Sequence, residues 1–106
     1  MTHAQLRLLG LGVRAGSVVI GTAGVRAALQ RGDLGLVVVA EDASDRTNDK
    51  VVRLAGGIDV PLLTGPTAVE LGRRVGRSTV QTVGVQDSKL VAGILGKGEP
   101  VKSRRQ

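Results

Sequence analysis

The chain has 106 residues, 42% of them hydrophobic and 23% charged, which is enough apolar side chain for one buried core and too much for disorder. It contains no Cys, Phe, Tyr or Trp, which excludes disulfides, thiolate metal sites, cysteine nucleophiles and the aromatic platforms on which single-stranded bases stack. Fifteen Lys and Arg against nine Asp and Glu give a net charge of +6 and a pI near 11.1, a balance suited to a polyanion, nucleic acid before membrane.

Arginine outnumbers lysine eleven to four, which adds weight to phosphate contact because a guanidinium donates in a planar fork. His3 is the only histidine and lies near the N-terminus, so neither a histidine zinc site nor a Ser-His-Asp triad is expected. The opening stretch THAQLRLLGLGVRAG has neither the basic start and cleavage site of a signal peptide nor an apolar span long enough for a bilayer. The expectation is a cytoplasmic chain with no membrane partner.

Thr2 and Gln5 fit a capping box that opens a first helix, with Leu6, Leu9 and Val13 at helical spacing and Leu8 and Leu11 widening the stripe. Gly10 and Gly12 lower its intrinsic stability, so tertiary packing must hold it, and Gly16 ends it as a left-handed cap. Val18, Val19 and Ile20 make a short strand, and Gly21, Thr22, Ala23 and Gly24 turn the backbone into a second helix through Val25, Ala28 and Leu29. Gly32 closes that helix beside Arg31.

Leu36, Val37, Val38 and Val39 are apolar without alternation, which predicts a strand covered on both faces. Ala40, Glu41 and Asp42 mark its end, where functional loops gather in open α/β sheets. Ser44 then caps a third helix, with Asp45 and Asp49 near its start, Lys50 and Arg53 further along, and Gly56 and Gly57 as its stop. A third strand is expected over 60–63, with Pro61 at an edge or at the strand's start.

Thr67 and Glu70 form a second capping box for a helix through Val69, Leu71 and Val75 to Gly76, carrying Arg73 and Arg74. Residues 79–85 are β-branched enough for a fourth strand, and a last helix begins at Asp87 or Ser88, buries Leu90, Val91, Ile94 and Leu95, and ends at Gly96. From Lys97 the apolar periodicity is lost and four basic residues stand against Glu99. The expected organisation is one domain over 1–96 and a basic flexible tail over 97–106. Strands alternating with helices place the domain in the α/β class, with helices sandwiching one small sheet.

Three groups of residues are candidates for chemistry. The turn at residues 21–24 offers free backbone amides at a helix start, which suits phosphate, although it lacks the Lys-Ser/Thr of a P-loop and the spacing of a dinucleotide fingerprint. Glu41, Asp42 and Asp45 have the chemistry for Mg²⁺ or acid–base work, but carboxylates placed before a helix more often cap it, and no nucleophile stands near them in sequence. Arg73, Arg74 and Arg77 cluster around Gly76 and can grip phosphate or merely solvate a helix end.

Taken in order, GTAGVRAAL, LVVVAEDAS and ELGRRVG resemble the kink-turn-binding ribosomal protein superfamily of the L-seven-Ae and L-thirty-e type. LGLGVRAGSVVIG and AEDASDRT are most similar to its bacterial YlxQ-like branch, and the resemblance spans nearly all of residues 4–95. It implies a three-layer α/β/α sandwich with a mixed four-stranded sheet, no cofactor and no catalysis.

In that family the turn into the second helix reads G-x-N-E-x-x-K, where Asn and Glu read sheared G·A pairs of a kinked RNA and Lys meets its backbone. Gly21 is kept here, but Ala23 stands for the Asn, Gly24 for the Glu and Ala27 for the Lys, so every base-reading side chain is missing. Arg26 is displaced about 100° around the helix from the Lys position, whereas Arg31, a turn beyond Ala27, shares its face. The second contact implied by the family is the loop after ELGxxxG, here Gly76, Arg77, Ser78 and Thr79, with Arg77 in place of a residue that is usually aliphatic.

Phosphate contacts survive such changes and carry no sequence information, whereas each lost bidentate base contact removes about 1–3 kcal/mol of discrimination. The expected function is therefore non-catalytic binding of ribosomal or other structured RNA with reduced base specificity, through Gly21, Thr22, Ala23, Gly24, Arg26, Ala27, Arg31 and the loop from Gly76 to Thr79. The ribosome and other proteins stand as further candidate partners. The alternative is a protein-interaction module that keeps the fold and has lost RNA readout.

Overall fold

The computed structural model describes residues 1–96, and the expected tail, 97–106, lies outside the described residues. The capping box forms as its spacing predicts: Thr2 Oγ1 accepts from Gln5 N–H at 3.1 Å while Gln5 Oε1 accepts from Thr2 N–H at 2.7 Å, and α1 (His3–Ala15) runs from there to Gly16. There follow β1 (Val18–Ile20), α2 (Thr22–Arg31), β2 (Leu36–Val39), α3 (residues 45–57), β3 (Leu62–Thr64), α4 (Ala68–Val75), β4 (Thr82–Val85) and α5 (Ser88–Leu95).

The sheet is mixed, with strand order β1-β4-β2-β3. Strand β4 is antiparallel to both β1 and β2, and β3 is parallel to β2. All four residues of β2 are buried because they alternate between two cores. Leu36 and Val38 meet Leu9, Leu71 and Ile94 beneath α1, α4 and α5, while Val37 and Val39 meet Val25, Leu29 and Val51 beneath α2 and α3. An unalternating apolar run thus marks the middle layer of a three-layer α/β/α sandwich.

Several local expectations are corrected. Pro61 lacks a ladder N–H, so β3 starts after it, at Leu62, and forms the sheet's edge. Residues 79–81 are loop and β4 begins only at Thr82. The third helix ends at Gly57, as its glycines predict, but it is not α-helical throughout: it is α-helical at Asp45–Thr47, widens to a π-helical stretch at Asn48–Val52, and is α-helical again through Arg53–Gly57. Asp59, two residues past the helix end, takes a left-handed backbone (φ 58°).

The second capping box is only half made. Thr67 Oγ1 accepts from Glu70 N–H at 3.2 Å, but the Glu70 carboxylate turns to Arg73 at 2.7 Å, and Asp42 takes the neighbouring Ala68 amide at 2.8 Å. Leu11, expected in the apolar stripe of α1, is 50% exposed.

The two α1 glycines differ. A Cβ on Gly12 would strike Leu90 Cδ2 and lie 2.8 Å from Val18 Cγ2, so this glycine lets α5 and β1 approach α1. A Cβ on Gly10 would meet only Arg74 O, at 3.8 Å. Gly10→Ala should therefore raise stability by about 0.5–1 kcal/mol through helix propensity. Gly12→Ala should lower it by about 1 kcal/mol, since its neighbours are side-chain tips that can partly give way. Urea denaturation of the two variants should show opposite shifts in midpoint.

Candidate nucleic-acid interface

The β1–α2 turn rests on Gly21, whose φ of 99° and ψ of 151° lie where only glycine is comfortable. Its N–H donates to Thr82 O at 2.9 Å and Thr22 Oγ1 meets Thr82 Oγ1 at 3.2 Å, so the start of α2 is pinned to the start of β4. Thr82 is fully buried, which fixes this anchor inside the molecule. Gly21 is not a side-chain cap and the first turn carries no acid, which leaves the positive end of the helix dipole uncompensated. Among the described residues the Thr22, Ala23 and Gly24 amides have no hydrogen-bond partner, and Ala23 and Gly24 are exposed.

The second element is the loop after α4. Gly76 closes the helix in the left-handed region (φ 81°), Arg77 N–H donates to Gly72 O at 2.7 Å, and Val80 N–H donates to Ala68 O at 3.0 Å. The loop therefore curls back along the helix it has just left. It can do so because Gly72 has no side chain: a Cβ there would sit 2.8 Å from Thr79 Cα and 2.9 Å from Ser78 C.

Together these elements form two adjoining grooves. One, of about 430 Å³, is lined by Gly21 and Thr22 on one side and by Arg77, Ser78 and Thr79 on the other, with Ile20, Val80 and Gln81 between them. The other, of about 310 Å³, is lined by Thr22, Ala23, Arg26, Ala27, Gln30 and Lys50. Thr22 belongs to both, and neither lining contains a carboxylate. Three cations, Arg26, Lys50 and Arg77, thus face one surface beside the open amides.

The structure accordingly brings Gly21, Thr22, Ala23, Gly24, Arg26 and Ala27 together with Arg77, Ser78 and Thr79. Gly76 is the hinge of the loop and does not line either groove. Arg31 is not in either lining: it stands at the far end of α2 and is paired with Asp33 at 2.9 Å. Lys50, Gln30 and Gln81 were not singled out by the sequence. Lys50 is brought in by packing of α3 against α2, which no local spacing reveals, and Gln81 is held by accepting the Ser44 N–H at 2.9 Å. Of the three carboxylates at the end of β2, Asp42 caps α4, and Asp45 stands in the first turn of α3, which Ser44 caps. Among the described residues no three His, Cys, Asp or Glu side chains are grouped to hold a metal ion.

The three-layer α/β/α domain thus carries an exposed helix start and a neighbouring loop on one acid-free, cationic surface, a pattern of charge and donors suited to a polyanion. The sequence of residues 4–92 matches the model of the "Ribosomal protein L7Ae/L30e/S12e/Gadd45 family", and the chain belongs to that family. No curated protein matches it in sequence. Among solved structures it is similar to a protein of unknown function from Bacillus halodurans C, with TM-score 0.84 and 28% identity, covering 91% of this chain and 97% of that one. It also shares its fold with a 15.5 kD RNA-binding protein from Giardia lamblia, with TM-score 0.73 and 24% identity, covering 87% and 82% of the two chains.

Proposed function

We propose that the chain binds structured RNA, ribosomal or kink-turn-like, without catalysis, and holds it by phosphate contact more than by reading bases. The observation that carries this reading is the pair of adjoining grooves that share Thr22, with Arg26, Lys50 and Arg77 and the three open amides on one face and no carboxylate in the lining. Membership of a family described by its ribosomal proteins and a shared fold with the Giardia RNA-binding protein support it. The amides suit phosphate oxygens and the guanidiniums can fork onto them. Reduced specificity follows from Ala23, Gly24 and Ala27, which offer no polar side chain to a base edge. No described helix is long and apolar enough to cross a membrane, and a cytoplasmic setting fits an RNA partner.

Titration of kink-turn, duplex and ribosomal RNA fragments over a salt series tests the reading. Wild-type protein should bind all three with affinities within about tenfold of one another. Arg26→Gln with Arg77→Gln should flatten the dependence of log K on log salt by about 1.4–1.8, at about 0.7–0.9 for each lost phosphate contact. A kink-turn affinity hundreds of times that for duplex would contradict the loss of base reading. The three missing side chains also favour a second reading, a protein-interaction module; little RNA affinity, with protein partners retained after nuclease treatment, would establish it.

A further inference from the structure

A third groove, of about 430 Å³, lies between α1 and α4 and is lined by Leu6, Arg7, Gly10, Leu11 and Arg14 with Arg73 and Arg74. It is on the other face of the sheet from α2. Arg7, Leu11 and Arg14 are spaced i, i+4 and i+7, so they share one face of α1, and the two arginines stand about 10.5 Å apart along the helix axis. The lining holds four guanidiniums and no carboxylate. Arg73 is paired with Glu70 at 2.7 Å and Arg74 Nη2 lies 3.5 Å from His3 Nδ1, whereas among the described residues Arg7 and Arg14 have no carboxylate partner. Between them Gly10 leaves the helix backbone open, with only Arg74 O near the place its Cβ would occupy.

Helix α4 connects this groove to the one described above. Arg73 and Arg74 stand in the last turn of α4 and Arg77 directly follows Gly76, which ends that helix, so cations continue from the loop around the end of α4 and onto α1. We propose that the α1–α4 groove is a second site for the sugar–phosphate backbone of the bound RNA, which wraps the end of α4 and meets Arg7 and Arg14 on the far face. Two unpaired forks set about 10.5 Å apart are too far from one another to share a single small anion and suit separate, non-adjacent phosphates of one strand. Continuity with the first groove favours nucleic acid over an acidic protein segment. The inference rests on the RNA reading above and extends its footprint to the opposite layer.

The test is fluorescence anisotropy of the full chain with a labelled RNA duplex over a salt series. It compares Arg7→Gln/Arg14→Gln with a charge-matched control, Arg46→Gln/Arg53→Gln on α3. All four arginines are exposed, so the substitutions remove charge without opening the core. The Arg7/Arg14 pair should flatten the salt slope by about 1.4–1.8 and weaken binding about tenfold at 0.1 M salt, while the control keeps the wild-type slope. A wild-type slope in the Arg7/Arg14 variant, with Arg77→Gln still flattening it, overturns the second site alone. Wild-type protein without salt-dependent RNA binding overturns the RNA reading itself. Polyglutamate binding that the Arg7/Arg14 pair abolishes while leaving duplex RNA binding intact overturns the inference in favour of an acidic protein partner.

Discussion

Replacing Gly72 by valine is expected to lower stability by about 3 kcal/mol and to weaken RNA binding in the fraction that still folds. The reason is the identity of the atoms a side chain would meet. At Gly72 the nearest three are Thr79 Cα, Ser78 C and Ser78 O, at 2.8, 2.9 and 2.9 Å, all of them backbone. Main-chain atoms cannot rotate away as the Leu90 tip beside Gly12 can, so the whole loop must move. Moving it strains the Arg77 N–H bond to Gly72 O and the Val80 N–H bond to Ala68 O, which hold the loop on α4. It also carries Arg77, Ser78 and Thr79 away from Gly21 and Thr22, opening the shared groove. Urea denaturation should show the loss of stability. A titration below the denaturation midpoint should then show RNA affinity reduced to that of Arg77→Gln, and an affinity equal to wild type would mean that the loop is not part of the binding surface.

The same glycine shows how far the sequence can be read. Its motif, ELGRRVG, marked the loop as functional, but nothing in the spacing tells that Gly72 is there to admit Ser78 and Thr79. Elements and layers were legible where one physical signal dominates: the unalternating Leu36 to Val39 run demanded cover on both faces, and Thr2, Ser44 and Asp87 each cap the helix they precede. Boundaries failed where two signals compete. Val60 belongs to the apolar run that marks the third strand, yet Pro61 has no N–H to give the ladder, and the strand starts only at Leu62. Glu70 had two partners within reach, its own cap and Arg73, and the ion pair prevailed. Of the residues that line the two candidate grooves, those consecutive in sequence had been singled out and those delivered by packing, Lys50 above all, had not. Arg31 shares the helical face of Ala27 as its spacing says, but Asp33 beside it takes up its charge.

Installing the missing side chains should restore discrimination. Ala23→Asn, Gly24→Glu and Ala27→Lys in one chain are expected to raise the preference for a kink-turn over plain duplex at least about thirtyfold. Two base contacts at about 1–3 kcal/mol each amount to about 2–6 kcal/mol, and the lower figure already gives that ratio. All three positions are exposed at the first two turns of α2, and Ala23 and Ala27 line the same groove one turn apart. The fold should accept the changes. Glutamate near the start of α2 complements a helix dipole that now has no acid in its first turn, and glycine in a helix is replaced by a better helix former. One cost remains, since a Cβ at residue 24 meets Val19 Cγ1 at 3.0 Å and the valine must shift by a few tenths of an ångström. Added Glu and Lys cancel in charge, so the net charge of +6 is unchanged and a gain in discrimination cannot come from stronger general attraction to RNA. If the triple variant bound both RNAs with the wild-type ratio, the weak specificity would have to lie in the path of the backbone at residues 21–24 and not in the side chains that have been lost.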